Sequence, residues 1–163
     1  MLSEEITGPA REVAALLFER GQTVAVAESS AGGLISAALL SVPKASRYYR
    51  GGVVFYNREG LHTALGGVID EKMGPRGACE PFARFLALAT RAKHGADWGI
   101  GETGAAGPEP YPYGEPAGFG WVSAAGPDGL VLPEQVLTGD ADRERNMIAF
   151  ASSALRTLLT AMA

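Results

Sequence analysis

The amino-acid sequence predicts an α/β protein, a sandwich in which helices cover a mixed β-sheet. Short apolar strand segments alternate with amphipathic helix segments through the first part of the chain, a pattern typical of parallel sheets with crossover helices. Two strand segments near the carboxyl end follow each other directly, which indicates an antiparallel hairpin. The length of 163 residues, 47% of them apolar, fits one compact domain over residues 1–163.

The first helix and the first strand are predicted over 4–20 and 23–27. In the helix, apolar residues recur at spacings of three and four, and Gly21 provides a stop. Pro9 is expected in the first turn of this helix, where a missing N–H costs little. The strand is a short β-prone run without alternation, as expected of a strand that is covered on both faces.

Glycine and proline, 22 and 10 residues, separate the segments that follow. The predicted elements are a turn over 28–33, a helix over 34–42, a strand over 48–55, a helix over 81–94, strands over 96–101, 118–125 and 130–137 with a turn over 126–129 between the last two, and a helix over 142–162. Basic residues in the last turn of the 81–94 helix suit the negative end of its dipole.

Composition and charge exclude several classes of function. The formal net charge is -4, which disfavours a protein that grips nucleic acid by its phosphates. Cys79 is the single cysteine, so an internal disulfide and a Cys-rich metal site are excluded. No apolar run reaches the roughly 18 residues of a membrane span, and the start at Met1 lacks a signal-peptide pattern. The sequence therefore predicts a soluble, cytoplasmic protein that binds neither nucleic acid nor membrane.

The first candidate site is the turn of Ser29, Ser30, Ala31, Gly32 and Gly33. It follows a buried strand and precedes a helix, at the sheet edge where open α/β proteins bind their ligands. Backbone N–H groups at such a helix start can hold an oxyanion or a phosphate, and glycine lets a ligand approach the backbone. In the alternative interpretation, the serines only cap the helix and the glycines only pack it against the sheet.

The second candidate site is the loop 101–108, which contains Thr103 and Gly104. Its small residues leave room for a ligand, and Thr103 offers a side-chain donor. If this loop lies beside the first turn, the two build a cleft. The alternative is a plain loop rich in glycine and proline, and the tract 109–116 is either a flap over the cleft or an ordered surface loop.

These segments together resemble the CinA carboxy-terminal domain family, and the resemblance runs nearly from end to end. The matching segments are 24–33 (family signature Ala-Glu-Ser-Cys-Thr-Gly-Gly), 51–56 (Gly-Gly-Val-Val-Thr-Tyr), 79–83 (Ser-Glu-Pro-Val-Ala), 103–108 (Thr-Gly-Ile-Ala-Gly-Pro), 116–118 (Pro-Val-Gly) and 139–143 (Gly-Asp-Arg). Several ordered matches with sensible spacing are far more specific than any single one.

The resemblance implies a three-layer α/β/α sandwich, usually a homodimer or a higher homo-oligomer. It implies a nicotinamide-nucleotide amidohydrolase, which converts nicotinamide mononucleotide to nicotinate mononucleotide and ammonia without a metal or another cofactor. In the family mechanism, the serine of the signature is the nucleophile, a lysine just after a tyrosine is its base, and that tyrosine assists. The matching serine and tyrosine here are Ser29 and Tyr56.

The family's lysine has no counterpart in this sequence. Tyr56 is followed by Asn-Arg-Glu-Gly-Leu-His, and no lysine occurs between Lys44 and Lys72. An unassisted serine hydroxyl is a poor nucleophile at neutral pH. The signature also has serine at Ser30 in place of cysteine and alanine at Ala31 in place of threonine, so the hydrogen bonds of the pocket differ from those of the family.

Residues after Tyr56 supply the candidates for a replacement base. Arg58 is excluded because its guanidinium stays protonated. His62 and Glu59 could act if the segment turns toward Ser29, and His62 has the pKa nearer to neutrality. The alternative is that His62 is an exposed residue of a surface helix.

Two main hypotheses follow. In the first, Ser29 attacks the carboxamide of a pyridine nucleotide, amides near Ser30 and Ala31 hold the oxyanion, and Tyr56 relays a proton. In the second, the chain is a catalytically silent relative that keeps the fold and serves as a nucleotide-binding or assembly module. A hydrolase of another amide or ester is a third alternative.

Three arginines are candidates for the nucleotide phosphate, because guanidinium groups match phosphate oxygens in pairs. They are Arg47, Arg143 and Arg145. The alternative for each is that it is an exposed surface charge that binds no ligand. Arg143 is best placed, at the start of the last helix. Cys79 is interpreted as packing at a helix start and not as a nucleophile.

Overall fold

The computed structural model describes residues 1–65, 77–112 and 114–163, and these form a five-stranded sheet with helices on both faces. The elements are α1 (Glu4–Arg20), β1 (Val24–Glu28), α2 (Leu34–Leu40), β2 (Tyr49–Val54), α3 (Arg58–Leu65), α4 (Glu80–His94), β3 (Trp98–Ala105), β4 (Phe119–Ala125), β5 (Val131–Leu137) and α5 (Arg143–Met162). Most bounds lie within one or two residues of the prediction. Helix α3 is absent from the predicted elements except in the alternative that places His62 on a surface helix.

The strand order is β2-β1-β3-β4-β5. Strands β2, β1 and β3 run parallel, and β4 and β5 continue the sheet as an antiparallel hairpin. The predicted mixed sheet is therefore confirmed. Because β2 and β3 lie on opposite sides of β1, the chain reverses its direction across the sheet there, and a crevice opens at the carboxyl ends of β1 and β3.

Two apolar clusters cover the two faces of the sheet. On one face, α1, α2 and α5 bury the larger cluster, with members such as Leu17, Ile35 and Phe150. On the other face, α4 contributes Phe82 and Leu86 to a smaller cluster. The three-layer arrangement is the one that the family resemblance implies. None of the helices in the described ranges combines the length and the apolar content of a membrane span.

Helix α4 lies directly on β3, and glycine makes this contact close. A Cβ atom at Gly101 would lie 2.3 Å from the carbonyl oxygen of Ala83, and one at Gly99 would lie 2.1 Å from that of Ala87. Any side chain at either position would push the helix away from the sheet. The two glycines thus set the short distance between α4 and β3.

The predicted loop 101–108 begins inside a strand. Residues 101–105 pair with β4, for example Thr103 with Trp121 and Ala105 with Phe119, so the predicted boundary at Gly101 is wrong. Glycine and alanine have low strand propensity, and here the neighbouring strand and α4 override it. Thr103 and Gly104 consequently have fixed strand geometry.

Pro9 lies one turn later than predicted, in the second turn of α1. At that position proline leaves the carbonyl of Glu5 without its helical N–H partner. The hydroxyl of Ser152 on α5 donates to this carbonyl at 2.9 Å. The hydrogen bond that proline removes from α1 is replaced by one from the neighbouring helix.

Candidate functional site

A cleft of about 830 Å³ lies at the carboxyl ends of β1 and β3. Its walls include Ser29 after β1, residues 55–58 after β2, and the segment 103–112. The volume is within the range of small-molecule sites. The predicted juxtaposition of the Ser29 turn and the Gly104 segment is therefore confirmed, although residues 30–33 are outside the set that lines the cleft.

The carboxylate of Glu28 holds the start of α2. It accepts hydrogen bonds from the N–H groups of Gly33, Ile35 and Ser36, each at 3.0 Å, and from the Ser36 hydroxyl at 2.6 Å. Glu28 is fully buried. The helix-start amides that the sequence offers to a ligand are thus already bonded to a side chain of β1.

A second buried carboxylate, Glu102 on β3, holds the turn itself. It accepts hydrogen bonds from the N–H groups of Ser29 and Ala31, both at 2.9 Å, and from the Ser30 hydroxyl. Burial raises the pKa of Glu102 to about 7; these three hydrogen bonds oppose that shift, and the nearby charge of Glu28 adds to it.

The turn leaves one amide for an oxyanion. The N–H of Ala31 donates to Glu102, that of Gly32 donates to the carbonyl of Ser29, and that of Gly33 donates to Glu28. Among the residues that the structure describes, the Ser30 N–H is the amide of this turn without a protein acceptor. The arrangement differs from the expected pair of free amides at Ser30 and Ala31.

Arg143 connects two walls of the cleft. Its guanidinium donates to the carbonyl of Gly107 at 2.6 Å and to the hydroxyl of Tyr56 at 2.9 Å. Tyr56 is 71% exposed. Since the phenol oxygen accepts from Arg143, its own proton can be donated to a ligand. Arg143 and Tyr56 are thus brought together from positions far apart in the chain.

Thr103 and Gly104 form the floor on the β3 side. The Thr103 hydroxyl donates to the carbonyl of Gly77 at 2.6 Å, so this predicted ligand donor already has an acceptor. A Cβ at Gly104 would lie 3.0 Å from the Ser30 hydroxyl oxygen and 2.9 Å from the Phe150 ring. Glycine is therefore needed for the close approach of β3 to the turn.

The candidates for a replacement base do not meet at Ser29. His62 is exposed on α3, next to Leu61, and it is Leu61 that lines the cleft. Within the described ranges, neither histidine nor lysine lines the cleft, and Lys72 lies outside those ranges. Glu59 is exposed on the same helix as His62.

The candidate arginines and Cys79 differ in whether they line the cleft. Arg47 is exposed in a short 3-10 helix after α2, away from the cleft walls. Arg145 is exposed and forms ion pairs with Asp140 and Asp142 at 3.2 and 3.7 Å. Cys79 precedes α4 and packs against the smaller apolar cluster, as predicted. Arg143 is the one of the three candidate arginines that lines the cleft.

Glu28 and Glu102 were not predicted as site residues. Both follow small or apolar residues, Glu28 as the last residue of β1 and Glu102 within β3. A fully buried glutamate is rare unless its carboxylate is paired or hydrogen-bonded. The sequence does contain a signal for each of these residues. Glu28 stands directly before a serine-rich turn, and Glu102 stands among the glycines of a strand.

The comparisons with known proteins agree with this architecture. The family model described as the CinA C-terminal domain matches residues 7–162. The chain belongs to the CinA C-terminal domain family. A CinA-like protein from Gloeobacter violaceus is 44% identical over 115 residues, which is 70% of this chain and 27% of that protein. Another, from Anaeromyxobacter sp. strain K, is 36% identical over 92% of this chain and 38% of its own length.

Solved structures of CinA proteins share the fold. The crystal structure of competence/damage inducible protein CihA from Agrobacterium tumefaciens has a TM-score of 0.90 and 25% identity, covering 99% of this chain and 98% of that one. The structure of competence damage-inducible protein A (ComA) from Klebsiella pneumoniae has a TM-score of 0.86 and 27% identity, covering 94% of each chain. The chain spans about a third of the curated CinA-like relatives above, so their whole activity is not transferred to it.

Proposed function

We propose that this CinA domain hydrolyses the carboxamide of nicotinamide mononucleotide, with Ser29 as the nucleophile. The observation that carries the proposal is that Ser29, Tyr56 and Arg143 line one cleft with the Thr103–Pro108 segment. The matches to the family signature lie in these same segments. The cleft has room for a nucleotide.

The proposed reaction has two steps. The Ser29 Oγ bonds to the carboxamide carbon, its proton passes through the Tyr56 hydroxyl to the carboxamide nitrogen, and the C–N bond then breaks to release ammonia and leave a nicotinoyl ester on Ser29. Water then cleaves the ester, which restores the serine and yields nicotinate mononucleotide. The Ser30 N–H is the donor assigned to the oxyanion in both steps.

Aromatic side chains and one arginine are assigned to recognition. Phe55 and Phe82 meet edge to face at 6.1 Å, and both line the cleft with Tyr111. Such rings offer an apolar face to the pyridine. Arg143 uses two of its five N–H donors within the protein, and we assign the others to the phosphate.

The proton relay from Ser29 is assigned to Tyr56, because it lines the cleft and its hydroxyl can pass its own proton to the carboxamide nitrogen as it accepts that of Ser29. His62 is the second candidate; it follows Leu61 on α3 but is not among the residues that line the cleft. A variant His62→Ala separates the two: it should keep its activity if Tyr56 acts alone, and lose it if His62 takes the proton.

A second candidate function is nucleotide binding without turnover. The observation that favours it is the lack of a histidine or a lysine among the described residues that line the cleft. A serine without an adjacent base would react slowly, whereas binding needs only the rings and Arg143.

One experiment separates these functions. Purified protein is incubated with nicotinamide mononucleotide, and ammonia release is measured beside the Ser29→Ala variant. Release that disappears in the variant supports the hydrolase. Saturable binding by calorimetry without release supports the binding module, and the lack of both would overturn the two proposals.

A further inference from the structure

Glu102 is a buried carboxylate that the proposed reaction does not use. It is fully buried on β3 and accepts three hydrogen bonds, two from backbone N–H groups and one from a hydroxyl. Among the described residues it has no ion-pair partner. A buried acid without a cation is costly, so its retention in the core calls for a specific task.

The three bonds reach three successive residues. Oε2 accepts from the N–H groups of both Ser29 and Ala31, and Oε1 accepts from the Ser30 hydroxyl. One side chain therefore fixes residues 29–31, the first three residues of the turn, to β3. The residues directly after Glu102, Thr103 and Gly104, line the cleft, so the turn and the opposite wall are held by the same strand.

The other buried acid holds a different part of the chain. Glu28 accepts from Gly33, Ile35 and Ser36 and fixes the start of α2. Glu102 thus acts on the backbone that carries the Ser29 side chain, whereas Glu28 acts on the helix behind it.

We propose that Glu102 is a positioning residue: its carboxyl group ties residues 29–31 to β3 and so sets the direction in which the Ser29 hydroxyl enters the cleft. The role in turnover rests on the function proposed above. The role in ordering the turn does not.

The surroundings of Glu102 determine its protonation. Glu28 faces it from β1, Val122 pairs with it on β4, and the buried residues of α5, Asn146 and Phe150 among them, are neutral. In the ionised state the Ser30 hydroxyl donates to Oε1. In the protonated state the carboxyl can donate to the Ser30 oxygen while Oε2 still accepts from the two amides.

The first test follows backbone amides of the unmodified protein by nuclear magnetic resonance between pH 5 and pH 9. An amide proton that donates to a carboxyl group shifts when that group ionises. We expect the amide protons of Ser29 and Ala31 to titrate together, with a midpoint near the pKa of Glu102, about 7. Two different midpoints at these amides, or amide shifts that are the same in the wild type and in Glu102→Leu, overturn the proposal.

The second test uses two variants at Glu102. Glu102→Gln keeps an oxygen for the two amides and an NH2 for the Ser30 oxygen, but cannot ionise. Glu102→Leu removes every acceptor. We expect Glu102→Gln to remain folded and to lose the titration at Ser29 and Ala31. In ammonia release, we expect Glu102→Leu to lower kcat about a hundredfold with little change in KM, and Glu102→Gln to recover most of it.

Asp97→Asn is the matched control. Asp97 also accepts from a backbone N–H and a hydroxyl, both of Thr23 at 2.8 Å, but at the start of β3 and far from the cleft. This variant should keep the wild-type kcat and the titration at Ser29 and Ala31.

The outcomes of the two tests are separable. A Glu102→Leu variant with wild-type kcat overturns the positioning role, and so does an equal loss of kcat in the Asp97→Asn control. If the wild type releases no ammonia, the proposed function fails, and the comparison of the Ser29 and Ala31 amide shifts between the wild type and Glu102→Leu decides whether Glu102 orders the turn.

Discussion

The carboxyl group of Glu102 couples protonation to the stability of the whole fold. Its pKa is raised from 4.5 to about 7 in the folded state, chiefly by burial, so the unfolded state releases the proton at lower pH than the folded state does. The contribution of this group to stability is therefore greatest below pH 4.5 and is lost as the pH rises to about 7.

The expected result is a pH-dependent difference between the wild type and Glu102→Gln. As the pH rises from 4.5 to about 7, the wild type should lose on the order of 3 kcal/mol relative to the variant, at about 1.4 kcal/mol for each pKa unit. Urea unfolding at pH 4.5, 6 and 8 measures this. Parallel stability curves for the two proteins would show that Glu102 titrates alike in both states.

Arg143 and Arg145 give a matched pair for the proposed phosphate site. Arg143 lines the cleft, whereas Arg145 pairs with Asp140 and Asp142. We expect Arg143→Gln to weaken the binding of nicotinamide mononucleotide about tenfold to a hundredfold, the worth of a charged hydrogen bond. Arg145→Gln should bind as the wild type does.

Calorimetry with the mononucleotide and with its nucleoside, which lacks the phosphate, makes the assignment specific. Arg143→Gln should bind the nucleoside about as well as the wild type does. An equal loss for both ligands would place the role of Arg143 in holding Tyr56 and Gly107 in position.

The packing of α4 on β3 depends on the lack of side chains at Gly99 and Gly101. A methyl group at Gly101 would meet backbone atoms of Ala83 and Ala87 at 2.3 and 2.6 Å. Backbone cannot move aside as the end of a flexible side chain can. The helix would have to shift as a whole, and with it the floor of the cleft.

We expect Gly101→Ala to lower the free energy of unfolding by about 3 kcal/mol, the upper range for overpacked cores. Gly8→Ala is the control, since Gly8 lies inside α1 with only the Glu4 side chain nearby, at 3.5 Å. Replacement there should raise stability by about 0.5–1 kcal/mol. Denaturant unfolding of both variants checks the pair; equal effects would contradict this view of α4.

The bounds of helix α1 can be predicted from the local sequence pattern, whereas its hydrogen bond to α5 cannot. The spacing of apolar residues and Gly21 predict the bounds of α1, because both signals come from the helix segment and the residue directly after it. The replacement of the Glu5 hydrogen bond by Ser152 joins residues far apart in sequence. No local pattern contains such a contact.

Over the whole molecule, the fold and the location of the cleft followed from sequence, while the bonding inside the cleft did not. The alternation of elements and the family motifs predict the sheet and the meeting of Ser29 with Gly104. Glu102 was missed because its partners lie in the turn after β1, far from it in the sequence. The extension of β3 through Thr103 was missed because its pairing with β4 overrides the propensity of small residues.

The register of β3 with β4 places the two tryptophans at different distances from the cleft. Trp121 on β4 lies opposite Thr103, and Thr103 lines the cleft. Trp98 is buried at the start of β3, and its indole N–H donates to the side chain of Gln22 at 2.9 Å. The protein therefore carries an intrinsic optical reporter together with an internal reference. Occupancy should alter the fluorescence emission of Trp121, so a Trp121→Phe variant should lose the response and Trp98→Phe should retain it.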